Sequence, residues 1–183
     1  MILSTFVIIF VKTIPQIIYE VYQNMKIIGF AGLAQSGKTT AANFILGVKI
    51  LSFADPVKQI ALSSFNWDGV KDEKGRRLLQ VIGTECGRAY DNDIWIKKMK
   101  EQIKIYAPLY DIIAIDDCRF DNESELVKEL GGMVIEIIRP GCVPDGHASE
   151  QGISPHLIDK SIINDGTLGQ LKDNVLNLIS EYV

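Results

Sequence analysis

The sequence predicts an α/β protein: a mostly parallel sheet of about five strands with helices on both faces. Three observations carry that reading. Short apolar runs alternate with segments of helical apolar spacing from residue 25 to the carboxyl end. The first run leads directly into a glycine-rich stretch, GLAQSGKT over residues 32–39, that opens a helix. The 183 residues suffice for about one domain with a full core.

Each element has its own reason. Met25–Ala31 is a short apolar run leading into glycine-rich sequence, hence a buried strand. Gly37–Leu46 is the helix after the glycines, and Lys49–Phe53 a short second strand. Pro56–Phe65, Arg76–Ala89 and Ile94–Tyr106 repeat apolar residues at three- and four-residue spacing and are expected as helices. Leu109–Ile115 is a buried strand that ends at Asp116 and Asp117. Asn122–Leu130 is a helix stopped by Gly131 and Gly132, followed by the strand Met133–Ile138. Arg139–Pro155 is polar and rich in Gly and Pro, a long loop of the kind kept for function. Ser161–Ile163 is a short strand and Leu168–Tyr182 a closing amphipathic helix.

Net charge is −4 and the pI about 5.2, which argues against a partner that is a nucleic-acid polymer or an anionic membrane. Mean hydropathy is +0.13, high for a soluble chain, and the excess sits in residues 1–24. Lys12, Pro15, Gln16 and Glu20 interrupt that apolar leader, so no membrane span is expected there. It lacks the basic start and small-residue cleavage site of a signal peptide. An early start codon, a docking segment and a membrane-surface anchor remain open for it; Met25, directly before the first strand, favours the first. The expected division is therefore a leader over 1–24 and a catalytic unit over 25–183, with a lid-like loop at about 139–155. Cys86, Cys118 and Cys142 are far apart without metal-ligand spacing and suit a reducing interior.

The stretch from Gly32 to Thr39 fits G-x-x-x-x-G-K-[ST] throughout. Consecutive backbone N–H groups at a helix start form an anion nest, and glycines let them approach phosphate oxygens. Gly32, Ala34, Gln35, Ser36, Gly37, Lys38, Thr39 and Thr40 are thus expected to hold ATP. Lys38 would bridge the β- and γ-phosphates, and the Thr39 hydroxyl would ligate Mg²⁺. The fold expected with this loop is the three-layer P-loop NTPase sandwich. No Asn-Lys pair exists to read guanine. A small P-loop domain with an Arg-bearing late loop suits a kinase of small phosphorylated acceptors, in which arginines outside the cradle clamp the second phosphate.

Such arginines stand in RRLLQ (76–80), GTECGR (83–88) with DIW (93–95), and DCRFDNE (117–123). HASE (147–150) lies in the late loop and NDGTL (164–168) precedes the last helix. With the P-loop and Asp55-Pro56-x-Lys58, this ordered series over residues 25–183 resembles the deoxynucleoside monophosphate kinases of bacteriophages. Cys118, where that family more often has an aliphatic residue, is a mild departure.

The resemblance implies transfer of the ATP γ-phosphoryl group to a deoxynucleoside monophosphate. It places Asp55 and Lys58 beside the acceptor, Arg88 and Arg119 on the acceptor phosphate, and Arg139 over the transferring group. Glu123 and Glu150 fall on the acceptor side, and Asn164 and Gly166 near adenine. Asp117 would hold magnesium waters or contact the acceptor, with Asp116 the alternative acid. Trp95 is either a stacking platform or a core anchor. Arg76 and Arg77 are either solvated helix residues or ligands, Glu123 a helix-start acid or a ligand, and His147 and Glu150 loop-ordering or catalytic. His156 is expected at the surface. The resemblance also implies a possible homodimer and a cytoplasmic location, the host's if the chain is viral. Other small-acceptor kinases, of dephospho-coenzyme A or ribonucleoside monophosphates, and a non-catalytic nucleotide binder are the alternatives.

Overall fold

Strands β1 (Lys26–Ala31), β2 (Lys49–Leu51), β3 (Ile112–Cys118), β4 (Met133–Ile138) and β5 (Lys160–Ile163) form one sheet in the order β2-β3-β1-β4-β5. Every pairing is parallel, as expected. This computed structural model describes residues 25–144 and 146–182. The leader over 1–24 lies outside the described residues.

The sheet is buried on both faces because its strands are apolar at consecutive positions, not alternate ones. In β1, Ile27 and Ala31 face one core and Ile28 and Phe30 the other. The first core is closed by helices α2 (Ala54–Phe65), α4 (Ile94–Tyr106) and α5 (Asp121–Glu129), through residues such as Val57, Met99 and Leu126. The second is closed by α1 (Lys38–Asn43) and α6 (Leu168–Ser180), through Ala41, Ala42, Leu171 and Val175. Thr167 caps α6 by accepting from the Gln170 N–H at 3.2 Å, and Gln170 reaches back to the Thr167 N–H at 2.8 Å. No helix among the described residues is long and apolar enough to cross a membrane.

The helix after the glycines ends at Asn43 and the second strand at Leu51, both shorter than expected, and three further differences have visible causes. β3 starts at Ile112 and runs through Asp116 and Asp117 to Cys118, because Leu109 turns outward in a turn held by its N–H on the Tyr106 carbonyl. The helix expected over 76–89 starts earlier, as α3 (Glu73–Gln80), where Asp72 accepts from the Gly75 N–H at 2.7 Å. It then widens into a π-helix over Val81–Arg88. Trp95 explains the widening in part: its indole N–H donates to the Gly83 carbonyl at 2.8 Å, and its ring lies where a Cβ on Gly87 would stand. Finally, the late loop carries a 3₁₀ turn, Ala148–Glu150, with His147 accepting from the Ser149 N–H.

β1 sits at the sheet centre, and the chain crosses to β2 on one side and β4 on the other. Open α/β sheets bind ligands at such a switch point, outside the carboxyl ends of the strands.

Candidate active site

The loop after β1 depends on two glycines. Gly32 has φ +126°, and a Cβ there would overlap the Ile137 carbonyl. Gly37 has φ +109° and lies against the Asn164 amide, which donates to the Ser36 carbonyl at 2.8 Å. Lys38 opens α1 and is buried, its Nζ donating to the Gly32 and Leu33 carbonyls at 2.7 and 2.6 Å. Burial, with the Arg119 charge nearby, lowers its ammonium to about 8.

The two acids at the end of β3 have separate surroundings. Asp116 is buried and accepts from the Thr39 hydroxyl at 2.5 Å; its other oxygen has no hydrogen-bond partner among the described residues. Burial pushes its carboxyl above the usual range, against the Thr39 bond. Asp117 accepts from the Ser52 hydroxyl at 2.6 Å and from the Phe53 and Ala54 N–H groups at 2.7 and 2.9 Å. It thereby braces the start of α2, where the helix dipole favours a carboxylate. Both acids left as alternatives line one cavity; Asp117 has both oxygens on three donors, whereas one oxygen of Asp116 has no hydrogen-bond partner among the described residues.

A cavity of about 540 Å³ opens over these groups. Among the described residues it is lined by seven cations, Lys38, Lys58, Lys71, Arg76, Arg88, Arg119 and Arg139, against four carboxylates, Asp116, Asp117, Glu123 and Glu150. That excess of positive charge suits phosphate groups. The π-helix delivers Arg88, whose guanidinium pairs with Glu123 and lies 3.9 Å over the Phe120 ring. The same Glu123 accepts from the Arg119 and Phe120 N–H groups at 2.7 and 3.1 Å, capping α5. Arg119 reaches over the cavity to pair with Glu150, and Glu150 accepts from the Ala34 N–H at 2.8 Å. Arg139 donates to the Gln35 carbonyl at 3.4 Å.

Other expected residues lie elsewhere. Asp55 pairs with Lys58 at 2.7 Å on the solvent side, and only Lys58 reaches the cavity wall. Asn164 braces the P-loop through the Ser36 carbonyl and Gly166 packs on Gln170; neither is among the residues lining this cavity. Gly32 and Ser36 support the loop without lining it. Trp95 is 5% exposed and anchored through its N–H, a core residue whose ring also reaches the cavity wall. Arg77 turns outward to Glu85, whereas Arg76 lines the cavity. Lys71 also lines the cavity, and no sequence signal points to it. It precedes α3 in a polar stretch without a motif, and partial burial, with Lys58 and Arg119 nearby, lowers its ammonium.

Burial, with the Asp117 charge adding, raises the Glu123 carboxyl from 4.5 to about 7, against the pull of Arg88. The folded protein therefore keeps a proton that the unfolded chain loses above about 4.5, so stability falls as pH rises from 4.5 to 7. Urea denaturation across that window should show a steeper fall for the wild type than for Glu123→Gln. Equal slopes would exclude this titration.

The family model for deoxynucleotide monophosphate kinase matches residues 71–175, which span the π-helix, DCRFDNE and the late loop. The chain belongs to the deoxynucleotide monophosphate kinase family. A protein of that name from Acanthamoeba polyphaga mimivirus is 31% identical over 186 residues, covering 85% of this chain and 96% of the relative. The deoxynucleotide monophosphate kinase of Enterobacteria phage T4 is 31% identical over 107 residues, and the deoxynucleoside-5'-monophosphate kinase of Escherichia phage T5 is 33% identical over 113. This family member spans less than half of each phage relative, 44% of its length. Among solved structures, shikimate kinase from Acinetobacter baumannii with shikimate has a TM-score of 0.50 at 13% identity, covering 89% of this chain and 97% of that one. The Mycobacterium tuberculosis APS kinase CysC with AMPPNP and APS has a TM-score of 0.50 at 12% identity, covering 86% and 98%. At such identities the likeness establishes the P-loop kinase fold.

Proposed function

We propose that this chain is a deoxynucleoside monophosphate kinase that transfers the γ-phosphoryl group of ATP to a deoxynucleoside monophosphate, giving the diphosphate and ADP. The observation that carries the reading is one cavity with a phosphate loop on one wall and Arg88 and Arg119, each paired to a buried glutamate, on another. On this reading the catalytic unit is residues 25–183, which contain the phosphate loop, both arginines and both glutamates.

ATP phosphates would rest on the loop from Ala34 to Thr40, the Ala34 N–H itself being held by Glu150, and Lys38 would turn from its own loop carbonyls to the phosphates. Mg²⁺ fits the site: the Thr39 hydroxyl and the orphaned Asp116 oxygen are the hard oxygen donors it prefers. When bound, it neutralises charge on the β- and γ-phosphate oxygens. Arg88 and Arg119 hold the acceptor phosphate, where a guanidinium fork fits phosphate oxygens. Arg139, already on the P-loop carbonyl of Gln35, shields the transferring group. Phosphoryl transfer needs little covalent help, so alignment and charge neutralisation supply most of the rate.

A coupled assay of ADP release with each deoxynucleoside monophosphate, each ribonucleoside monophosphate and dephospho-coenzyme A tests the reading. Turnover is expected with deoxynucleotides. Arg119→Ala is expected to raise the acceptor KM roughly 30-fold, the value of one charge-assisted phosphate contact, and to leave the ATP KM nearly unchanged. A loss of ATP affinity with an unchanged acceptor KM would put this arginine on the donor side.

A further inference from the structure

We propose that Glu150 is a positioning residue, fixing the Arg119 guanidinium against the rim of the P-loop so that its remaining N–H groups face the acceptor phosphate beside the donor site. The inference rests on the kinase reading and deepens it. Glu150 is 4% exposed, yet it comes from the late loop, 31 residues after Arg119 and 116 after Ala34. One carboxylate oxygen takes the Ala34 N–H and the other takes Arg119 Nη1. A single carboxylate is all that separates a P-loop amide from the guanidinium. A buried carboxylate needs such partners, and both of these come from binding elements.

Arg119 makes its one side-chain hydrogen bond among the described residues to Glu150. A guanidinium has five N–H donors, so the others remain to face phosphate oxygens. Its side chain is 30% exposed, and with no carboxylate behind it the arm would sample several rotamers. The backbone of Arg119 is fixed independently, through its N–H on Glu123. Glu123 thus sets where the arm starts, and Glu150 sets where its head ends. The pair also ties the late loop to the P-loop, beside the Arg139 contact to Gln35. Glu150 therefore acts through Arg119 and is not itself a phosphate ligand, since its charge repels phosphate.

Glu150→Gln separates the two bonds. Its amide oxygen still accepts from Ala34, while its amide nitrogen presents a donor to a donor at Arg119. The test is a double-mutant cycle on kcat/KM for the acceptor at saturating ATP, with wild type, Glu150→Gln, Arg119→Ala and the double variant. Glu150→Gln is expected to lower kcat/KM by about 10- to 100-fold, as a small misplacement of a binding group does. The ATP KM should stay within about threefold, and the second substitution should cost less than about twofold once Arg119 is gone. Equal losses in both backgrounds would make Glu150 a general support of the fold and overturn the proposal. An equal rise in ATP KM, or an improved kcat/KM, would do the same. If Glu150→Gln does not fold by circular dichroism, Glu150→Asp takes its place in the cycle, because its shorter arm spans only one of the two partners. A wild type that phosphorylates no deoxynucleotide fails the functional reading itself, before the cycle is read.

Discussion

Lys38→Ala is expected to lower kcat by about a thousandfold or more, with circular dichroism and melting temperature close to wild type. The rate loss follows from chemistry: charge grows on the phosphate oxygens during transfer, and a preorganised cation there is worth several kcal/mol. The preserved fold follows from the geometry. Among the described residues the Lys38 Nζ hydrogen-bonds to carbonyls of its own loop, Gly32 and Leu33, and to no second element. Burial already works against its charge, lowering the ammonium to about 8, so alanine also removes a penalised group. By linkage, that penalty fades as pH rises from about 8 toward 10.5, and the wild type gains stability over this window while the variant does not. Retained kcat would sink the cradle assignment, and collapse of the fold would show that Lys38 is structural.

Sequence reading located the sheet, the phosphate loop and most of the arginines because each has a local cause. Continuous apolar runs such as MVIEII of β4 are buried on both faces, and a loop needing φ +126° at Gly32 asks for glycine. What it could not locate depends on distant neighbours. Asp116 and Asp117 are adjacent and chemically identical; only β3 running through both turns one to Thr39 and the other to the start of α2. Arg76 and Arg77 are separated in the same way, by the phase of α3. The π-helix answers to Trp95, which follows it by seven residues, and no rule of local spacing contains that contact. Lys71 carries no motif, and only its place at the cavity wall reveals it. Glu150 reads locally as part of a loop turn, but its two partners lie far back in the chain.

Asp116→Asn and Asp117→Asn should fail in opposite ways. Asp116 has one oxygen on the Thr39 hydroxyl and one with no hydrogen-bond partner among the described residues, so with Thr39 it would offer the hard oxygen donors that Mg²⁺ takes. An amide keeps the shape and loses the charge, so kcat is expected to fall by roughly a hundredfold and half-maximal activity to need more Mg²⁺. Stability should hold or rise slightly, because burial already disfavours the Asp116 charge. Asp117 holds three donors at the junction between β2 and α2, the Ser52 hydroxyl and the Phe53 and Ala54 N–H groups at the helix start. An amide there can turn only one acceptor toward them, which should cost about 2 kcal/mol in denaturant unfolding. Its Mg²⁺ dependence should remain that of the wild type. If Asp117→Asn instead shifts the Mg²⁺ requirement while Asp116→Asn loses only stability, the two roles are exchanged. In that case the open oxygen of Asp116 is a feature of folding and not of phosphoryl transfer.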